Sequence, residues 1–159
     1  MQAQETLYLT REAMKALKEE LDYLRITRRR EIADMLRESR ENDYSVEADA
    51  PYDPARDEQA FVEGRILELE QMLANAQLID EKAGKRAGRV ALGSKVVVED
   101  ARGRSLTYQI VDSAETDPSQ GKVSDASPIG KALLGAAPGD TVTVHAPAGP
   151  KTMKVRELR

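Results

Sequence analysis

The sequence predicts an α+β protein with two parts, an N-terminal antiparallel two-helix coiled-coil arm and a small β-rich domain with one short helix. Apolar residues recur in helical steps of three and four up to residue 76, whereas beyond residue 90 they alternate with a period of two. The charge divides in the same way. Residues 1–80 carry 11 Lys/Arg and 19 Asp/Glu, net −8, and residues 81–159 carry 13 and 9, net +4, which suggests that the parts meet different surfaces.

Two helical series form the predicted arm, residues 1–80. The first comprises Met14, Leu17, Leu21, Leu24, Ile32 and Leu36, interrupted by Arg28, and the second comprises Ala55, Gln59, Val62, Ile66, Leu69, Leu73 and Ala76. The positions paired across the two series sum to 90 from 14 with 76 through 28 with 62, and to 91 for 32 with 59 and 36 with 55. A nearly constant sum is expected for facing residues of an antiparallel coiled coil. The chain is therefore expected to fold back near residues 42–53.

The turn between the helices carries an acidic tip at 42–53. Between Glu41 and Glu58 there are seven acidic residues and one base, Arg56. Helix-breaking residues occupy the same segment, and Asp53 followed by Pro54 is typical of an N-cap and first helical residue. Crowded carboxylates repel one another unless a cation or a basic surface joins them. The tip is therefore the first candidate functional site.

The second half of the chain is predicted to be β-rich. The segment EKAGKRAGR (81–89) is expected to be a linker, and 90–159 a domain. SKVVVED and SLTYQIVD flank a turn at 101–104, and TVTVHAP and TMKVREL flank a turn at 148–150, so two hairpins are expected. Between them, Ser127 and Pro128 open a short helix that Gly135 closes.

Composition excludes several classes of function. The chain has no cysteine and one histidine, His145, which excludes disulfides, thiolate chemistry and multi-histidine metal sites. No apolar run approaches 18 residues, so no membrane span is expected, and the composition fits a cytoplasmic protein. Overall acidity argues against duplex DNA as the main partner, because phosphate neutralisation needs a dense basic face.

Four segments carry a resemblance to a known family. They are LTREAMKALKEELDYL (9–24), DEQAFVEGRILELEQMLANAQLID (57–80), SDASPIGKALLG (124–135) and GDTVTV (139–144). With them the chain resembles the bacterial Gre transcript-cleavage factors, the GreA/GreB family. The resemblance implies an FKBP-like topology for 90–159 and bacterial RNA polymerase as partner. It also implies a monomeric regulator that is not itself an enzyme. Its globular domain would grip the rim of the secondary channel, and its tip would help to hold the second catalytic Mg²⁺ of the polymerase, with no Mg²⁺ bound independently.

The tip departs from the family pattern. Family members that stimulate cleavage carry an Asp-Leu-x-Glu-Asn-Ala-Glu-Tyr run, whereas this chain has NDYSVEADAPYDPA (42–55). With small insertions, Asp43 and Glu47 align with the family's Asp and Glu and become the candidate Mg²⁺ ligands. The additional tip carboxylates are Asp49 and Asp53, and the candidate tip contacts are Tyr44, Ser45 and Tyr52. Because the run is rewritten, we favour a modified or inhibitory homologue over a cleavage stimulator, and both remain open.

Two further groups of residues have two interpretations each. Arg28, Arg29 and Arg30 either contact the 3′ segment of the nascent RNA or pair with acids such as Glu31, Asp34 and those of the second helix. Asp125, Ser127 and Pro128 either contact the polymerase rim, as the resemblance implies, or simply start the short helix.

Two alternative functions fit the sequence less well. An FKBP-type prolyl isomerase needs an aromatic-lined pocket, yet residues 81–159 contain one aromatic residue, Tyr108. A chaperone-like coiled-coil clamp needs an exposed apolar tip, whereas this tip is acidic.

Overall fold

The computed structural model describes residues 5–42 and 54–159. The chain forms two compact units, Met14–Asn75 and the combination of Met1–Ala13 with Ala76–Arg159. These limits differ from the predicted division, because the first 13 residues and the segment from Ala76 onwards belong to the β-rich unit. Among the described residues, no helix is both long and apolar enough to cross a membrane.

The predicted arm is an antiparallel helical pair. Its helical segments are α1 (Arg11–Tyr23), a π-helical turn (Leu24–Arg28), α2 (Arg29–Asn42) and α3 (Pro54–Ala74). Leu21, Ile32, Val62, Ile66 and Leu69 are buried between them, and Leu17, Leu24, Leu36 and Leu73 pack around this core. Nine of the thirteen predicted seam residues therefore belong to this core. Burial of this apolar stripe, rather than helix propensity, holds such helices together.

The π-helical turn accounts for the change in register along the seam. A π turn closes its hydrogen bonds over five residues instead of four and so inserts one extra residue into a helix. The turn spans Leu24–Arg28, while α3 is α-helical throughout Pro54–Ala74. The sum of facing positions rises from 90 to 91 at this place, between Leu24 and Ile32. The π-helical turn thus gives a physical reason for the step in the sum of facing positions.

Two seam positions were predicted wrongly. Gln59 is exposed and lies beyond Val62, the last fully buried residue of α3 on the side of the tip. Ala76 does not face Met14, since α3 ends at Ala74 and Ala76 begins a strand, β2 (Ala76–Leu78). This strand pairs in parallel with β1 (Leu7–Leu9). Strands of three residues are too short for a period of two to reveal them.

The predicted linker is partly helical and packed. Helix α4 (Ala83–Ala87) lies within it, and Gly84 is buried. A Cβ atom at Gly84 would lie 2.1 Å from Ser94 Oγ and 2.6 Å from the carbonyl oxygen of Arg89. The glycine therefore allows α4 to pack closely against Ser94 and the backbone of Arg89. The composition of this segment had suggested a linker.

The β-rich unit contains a five-stranded sheet and, besides α4, the short helix that was predicted between the two hairpins. Its further elements are β3 (Lys95–Asp100), β4 (Ser105–Val111), β5 (Lys122–Ser124), α5 (Pro128–Leu133), β6 (Thr141–Ala146) and β7 (Gly149–Leu158). The strand order is β5-β4-β3-β7-β6, with β4 and β5 parallel and the other neighbours antiparallel. Both predicted hairpins are present. The core of this unit contains Val96, Val98, Ile110, Leu133 and Val155, each essentially inaccessible to solvent.

Candidate functional site

The tip residues lie outside the described part of the chain. They are Asp43, Tyr44, Ser45, Glu47, Asp49, Tyr52 and Asp53. Helix α2 ends at Asn42 and α3 begins at Pro54, as the helix-breaking residues predicted. Within 5–42 and 54–159, no group of three or more His, Cys, Asp or Glu side chains is arranged to hold a metal ion. The assignment of Asp43 and Glu47 to Mg²⁺ therefore stays a prediction.

Arg28 and Arg29 on the shaft of the arm are paired with carboxylates. Arg28 donates from Nη1 to Glu31 Oε2 at 2.7 Å and from Nη2 to Glu58 Oε1 at 2.8 Å. Arg29 forms a bidentate pair with Glu63, with both distances 2.7 Å. The hydrogen bonds that Arg28 donates to Glu58 and Glu31 raise the pKa of Arg28, and those that Arg29 donates to Glu63 raise the pKa of Arg29. The bond from Arg29 in turn lowers the pKa of Glu63.

Arg30 differs from its neighbours. Its side chain is exposed and has no hydrogen bond or ion pair to any residue of the described segments. Arg25, by contrast, pairs with Glu70 across the two helices. Two of the three arginines predicted to contact RNA, Arg28 and Arg29, thus pair with carboxylates of the arm, as the alternative interpretation predicted. Asp34, which that interpretation also named as a partner, pairs with Arg37. Arg30 is the member of the cluster that is free to meet an external anion.

The segment before α5 is shaped by Ser127. Its hydroxyl accepts a hydrogen bond from the Gly130 amide at 3.1 Å and donates to the Ser124 carbonyl at 2.6 Å. Pro128 occupies the first helical turn, as predicted. The Asp125 amide donates to the Val111 carbonyl at 3.0 Å, which ties this segment to the end of β4. Helix capping therefore accounts for the geometry of Ser127 and Pro128 and leaves their outer surfaces available.

A groove of about 940 Å³ begins at this segment. Its lining includes Ser127 and Pro128 but not Asp125. The apolar lining residues include Leu106, Val123, Ile129, Val144, Ala146, Pro150 and Met153, and the basic ones are Arg102, Arg104, Lys122 and Lys151. Tyr108 is the one aromatic side chain among the described lining residues. The groove thus combines an apolar surface with several cations, which suits an amphipathic protein segment bearing carboxylates.

The groove lining also contains an acidic residue, Asp100, whose charge is already neutralised. Asp100 accepts hydrogen bonds from the amides of Arg104 and Arg102, both at 2.9 Å, and from Arg104 Nε at 2.9 Å. These bonds, with the Arg104 amide as the largest cause, lower the pKa of Asp100. Sequence reasoning missed the groove. The signal that could have revealed it is the alternation of residues along β4 and β7. Leu106 and Tyr108 share a sheet face, as do Lys151 and Met153.

Comparison with known proteins matches both parts of the chain. The family described as "Transcription elongation factor, N-terminal" matches residues 7–78, and "Transcription elongation factor, GreA/GreB, C-term" matches residues 85–159. "Transcription elongation factor GreA" of Thermoanaerobacter pseudethanolicus is 46% identical over 153 residues, covering 95% of this chain and 96% of the relative. The protein of the same name from Acetivibrio thermocellus is 41% identical over 160 residues, covering 100% and 99%.

Solved structures were also matched. The crystal structure of GreA factor homolog 1 (Gfh1) of Thermus thermophilus shares 33% identity and covers 98% of this chain and 99% of its own, with a TM-score of 0.43.

These matches place the chain in the class of transcription elongation factors, regulators that act on an RNA polymerase and are not enzymes themselves. The chain belongs to the GreA/GreB family, which confirms the resemblance found in the sequence.

Proposed function

We propose that the protein binds bacterial RNA polymerase at the secondary channel and acts on the active-site Mg²⁺ through the acidic tip. In doing so it modulates transcript elongation and the cleavage of backtracked RNA. The observation that carries this proposal is the match of both family descriptions, in order, along residues 7–78 and 85–159. The two helices that flank the acidic segment in the sequence support it, since α2 ends at Asn42 and α3 begins at Pro54.

The chemistry of the tip suits a shared metal ion. Mg²⁺ prefers oxygen ligands and is commonly held by one or two carboxylates together with phosphates. Asp43 and Glu47 are the proposed pair, with Ser45 placed near them in sequence to orient a water molecule. Such an ion lowers the pKa of a bound water and supplies a nucleophile for phosphodiester hydrolysis. Asp49 and Asp53 add carboxylates that would instead sequester the ion or hold it unproductively, which is why inhibition is the favoured outcome.

The two other surfaces have distinct proposed roles. The groove beside Ser127 and Pro128 would receive a protein segment on the polymerase rim, with Asp125 at its border. Its apolar lining and its cations, Lys151 among them, support that role. On the arm, Arg30 would contact the backbone of the nascent RNA 3′ segment, because its guanidinium is not engaged by any described residue. Arg28 and Arg29 would contribute less, since each is already neutralised.

The test is RNA cleavage in a backtracked elongation complex with Mg²⁺, with and without the protein. Asp43→Asn and Glu47→Gln run beside it, and Asp22→Asn, which changes an exposed carboxylate of α1 outside the acidic run, is the matched control. Slower intrinsic cleavage or elongation that the tip variants relieve, and the control does not, would establish an inhibitor. Faster cleavage lost in the same variants would establish a stimulator. No effect of the protein on either rate would overturn the proposal.

A further inference from the structure

A strip without charged side chains runs along α3 on the side opposite the buried seam. Its members, here called the outer strip, are Ala60, Phe61, Gly64, Leu67 and Gln71. Their spacing places Ala60, Gly64, Leu67 and Gln71 on one face of α3, with Phe61 beside Gly64 and the charged Glu68 on the line that continues from Phe61. All five members of the strip are exposed. Phe61 is 71% exposed and Leu67 is 55% exposed. The face of a helix turned away from its partner is normally charged or polar, so this strip is unusual.

Glycine at position 64 is not required by the fold. A Cβ atom there would meet nothing within 4 Å, and the backbone does not adopt a positive φ. A glycine inside a helix nevertheless costs about 1 kcal/mol relative to alanine. Gly130 shows the contrast, because a Cβ atom there would lie 2.0 Å from the Ser124 carbonyl oxygen. The stability of the isolated chain thus explains neither the glycine at position 64 nor the exposed phenylalanine at position 61 beside it.

Charge around the outer strip argues against a nucleic acid as its occupant. Along one border Arg65 is bonded to Glu20 at 2.7 and 3.0 Å and to Glu68 at 2.9 Å. Along the other border Arg29 is held by Glu63. Arg65 and Arg29 are each already neutralised by a carboxylate, so neither is available to a phosphate. A protein surface fits this border better.

Size argues against a second copy of this chain as the occupant. At 1.5 Å per residue the strip is about 17 Å long, and a helix is about 10 Å wide, so it offers on the order of 170 Å². A stable interface buries about 800 Å² on each partner. The strip therefore suits a local contact within a larger complex that other surfaces hold together.

We propose that the outer strip is a contact surface for the RNA polymerase, with Phe61 filling an apolar pocket of the partner and Gly64 allowing close approach of the partner's backbone to α3. The inference rests on the proposed function, because the polymerase provides the larger complex. Exposed aromatic side chains that insert into pockets are the residues that most often dominate binding energy. Small residues on a helix face permit a backbone to approach closely.

The test pairs stability with affinity for the polymerase core enzyme. Gly64→Ala should raise the melting temperature, because alanine favours the helix and meets no internal atom. The same change should weaken binding several-fold if a partner lies against the glycine, and Phe61→Ala should weaken it about tenfold or more. Tyr23→Ala, which truncates a 52% exposed aromatic of α1, and Asp22→Ala, an exposed helix-favouring change, are the controls and should leave binding unchanged.

The outcomes separate this inference from the proposed function. Failure of the unmodified protein to bind the core enzyme would overturn both. If Phe61→Ala and Gly64→Ala bind the core enzyme as tightly as the unmodified protein does, the inference about the outer strip alone is overturned. Two further outcomes would assign the strip to another occupant and overturn the inference. In one, the strip variants keep their affinity for the core enzyme but crosslink less to RNA. In the other, the unmodified protein forms dimers in sedimentation that Phe61→Ala abolishes. At saturating protein the strip variants should keep the full effect on cleavage, whereas Asp43→Asn should lose it.

Discussion

Thr10 and Glu115 are joined by two hydrogen bonds although 105 residues separate them. The Thr10 hydroxyl donates to Glu115 Oε1 at 2.6 Å, and the Thr10 amide donates to the same oxygen at 3.1 Å. The hydroxyl also accepts from the Ala13 amide at 3.2 Å and so caps the start of α1. Thr10 is 1% exposed. One buried threonine therefore both starts a helix and fixes the N-terminal segment within the β-rich unit.

Replacing this hydroxyl should be costly. Thr10→Val keeps the shape of the side chain but removes the cap and leaves Glu115 without its hydroxyl donor. We expect the free energy of unfolding to fall by about 1–3 kcal/mol, the range for leaving a buried polar group unsatisfied. Urea unfolding of the whole chain measures it. Thr10→Ser retains the hydroxyl and should lose much less, and a valine variant as stable as the parent would contradict the assignment.

The π-helical turn should tolerate the removal of one residue. Deleting the exposed Thr27 takes out the extra residue, and Leu24 and Ile32 would still face the same side of α3 in a regular α-helix. Deleting Lys18, which lies within α1, would instead rotate part of the seam by about 100° away from α3. We expect thermal melting of the first variant near that of the parent and a large loss in the second. Equal losses would show that the turn is required in its present form.

Gly130 should not tolerate a side chain. A Cβ atom there would lie 2.0 Å from the Ser124 carbonyl oxygen and 2.9 Å from its carbon. Gly130→Ala must displace the segment that Ser127 caps, at a cost of about 1–3 kcal/mol for overpacking. Ala132→Gly, which weakens the same helix without a clash, is the comparison. Chemical unfolding, together with the amide NMR signals of residues 124–130, would detect the displacement. Unchanged signals in Gly130→Ala would refute it.

The pair of Arg29 and Glu63 should give the stability a defined dependence on pH. The pKa of Glu63 lies below its ordinary value of 4.5 when folded, because Arg29 donates to its carboxylate. The contribution of this ion pair to the free energy of unfolding is therefore complete above pH 4.5. It is lost as the pH falls through the lowered pKa of Glu63 in the folded state. Thermal melting of the parent and of Arg29→Met should differ at pH 6 and converge towards pH 3. Arg30→Met, which removes a guanidinium without a described partner, should show no such convergence.

Local patterns predicted the secondary structure of most of the chain. The seam from Leu17 to Leu73, the two hairpins and the helix capped by Ser127 follow from periodicity and from residues such as Pro128 that act within one or two turns. The acidic segment was located by counting charges. The pairing of β1 with β2 was missed, because three residues carry too little pattern. The linker was assigned from composition, which does not reveal that Gly84 packs against Ser94.

The sequence by itself therefore determined the two-part organisation, most of the register of the arm and the membership of the family, whereas the π-helical turn was found only in the structure. These properties depend on the spacing of neighbouring residues, which is a local quantity. Only the tertiary structure decided which arginines of the shaft are neutralised, that Thr10 meets Glu115, and that β4, β7 and the segment before α5 line one groove. Several partners of equal chemistry are available to each of these side chains. The choice among them depends on the distances that the folded backbone sets between residues far apart in the chain.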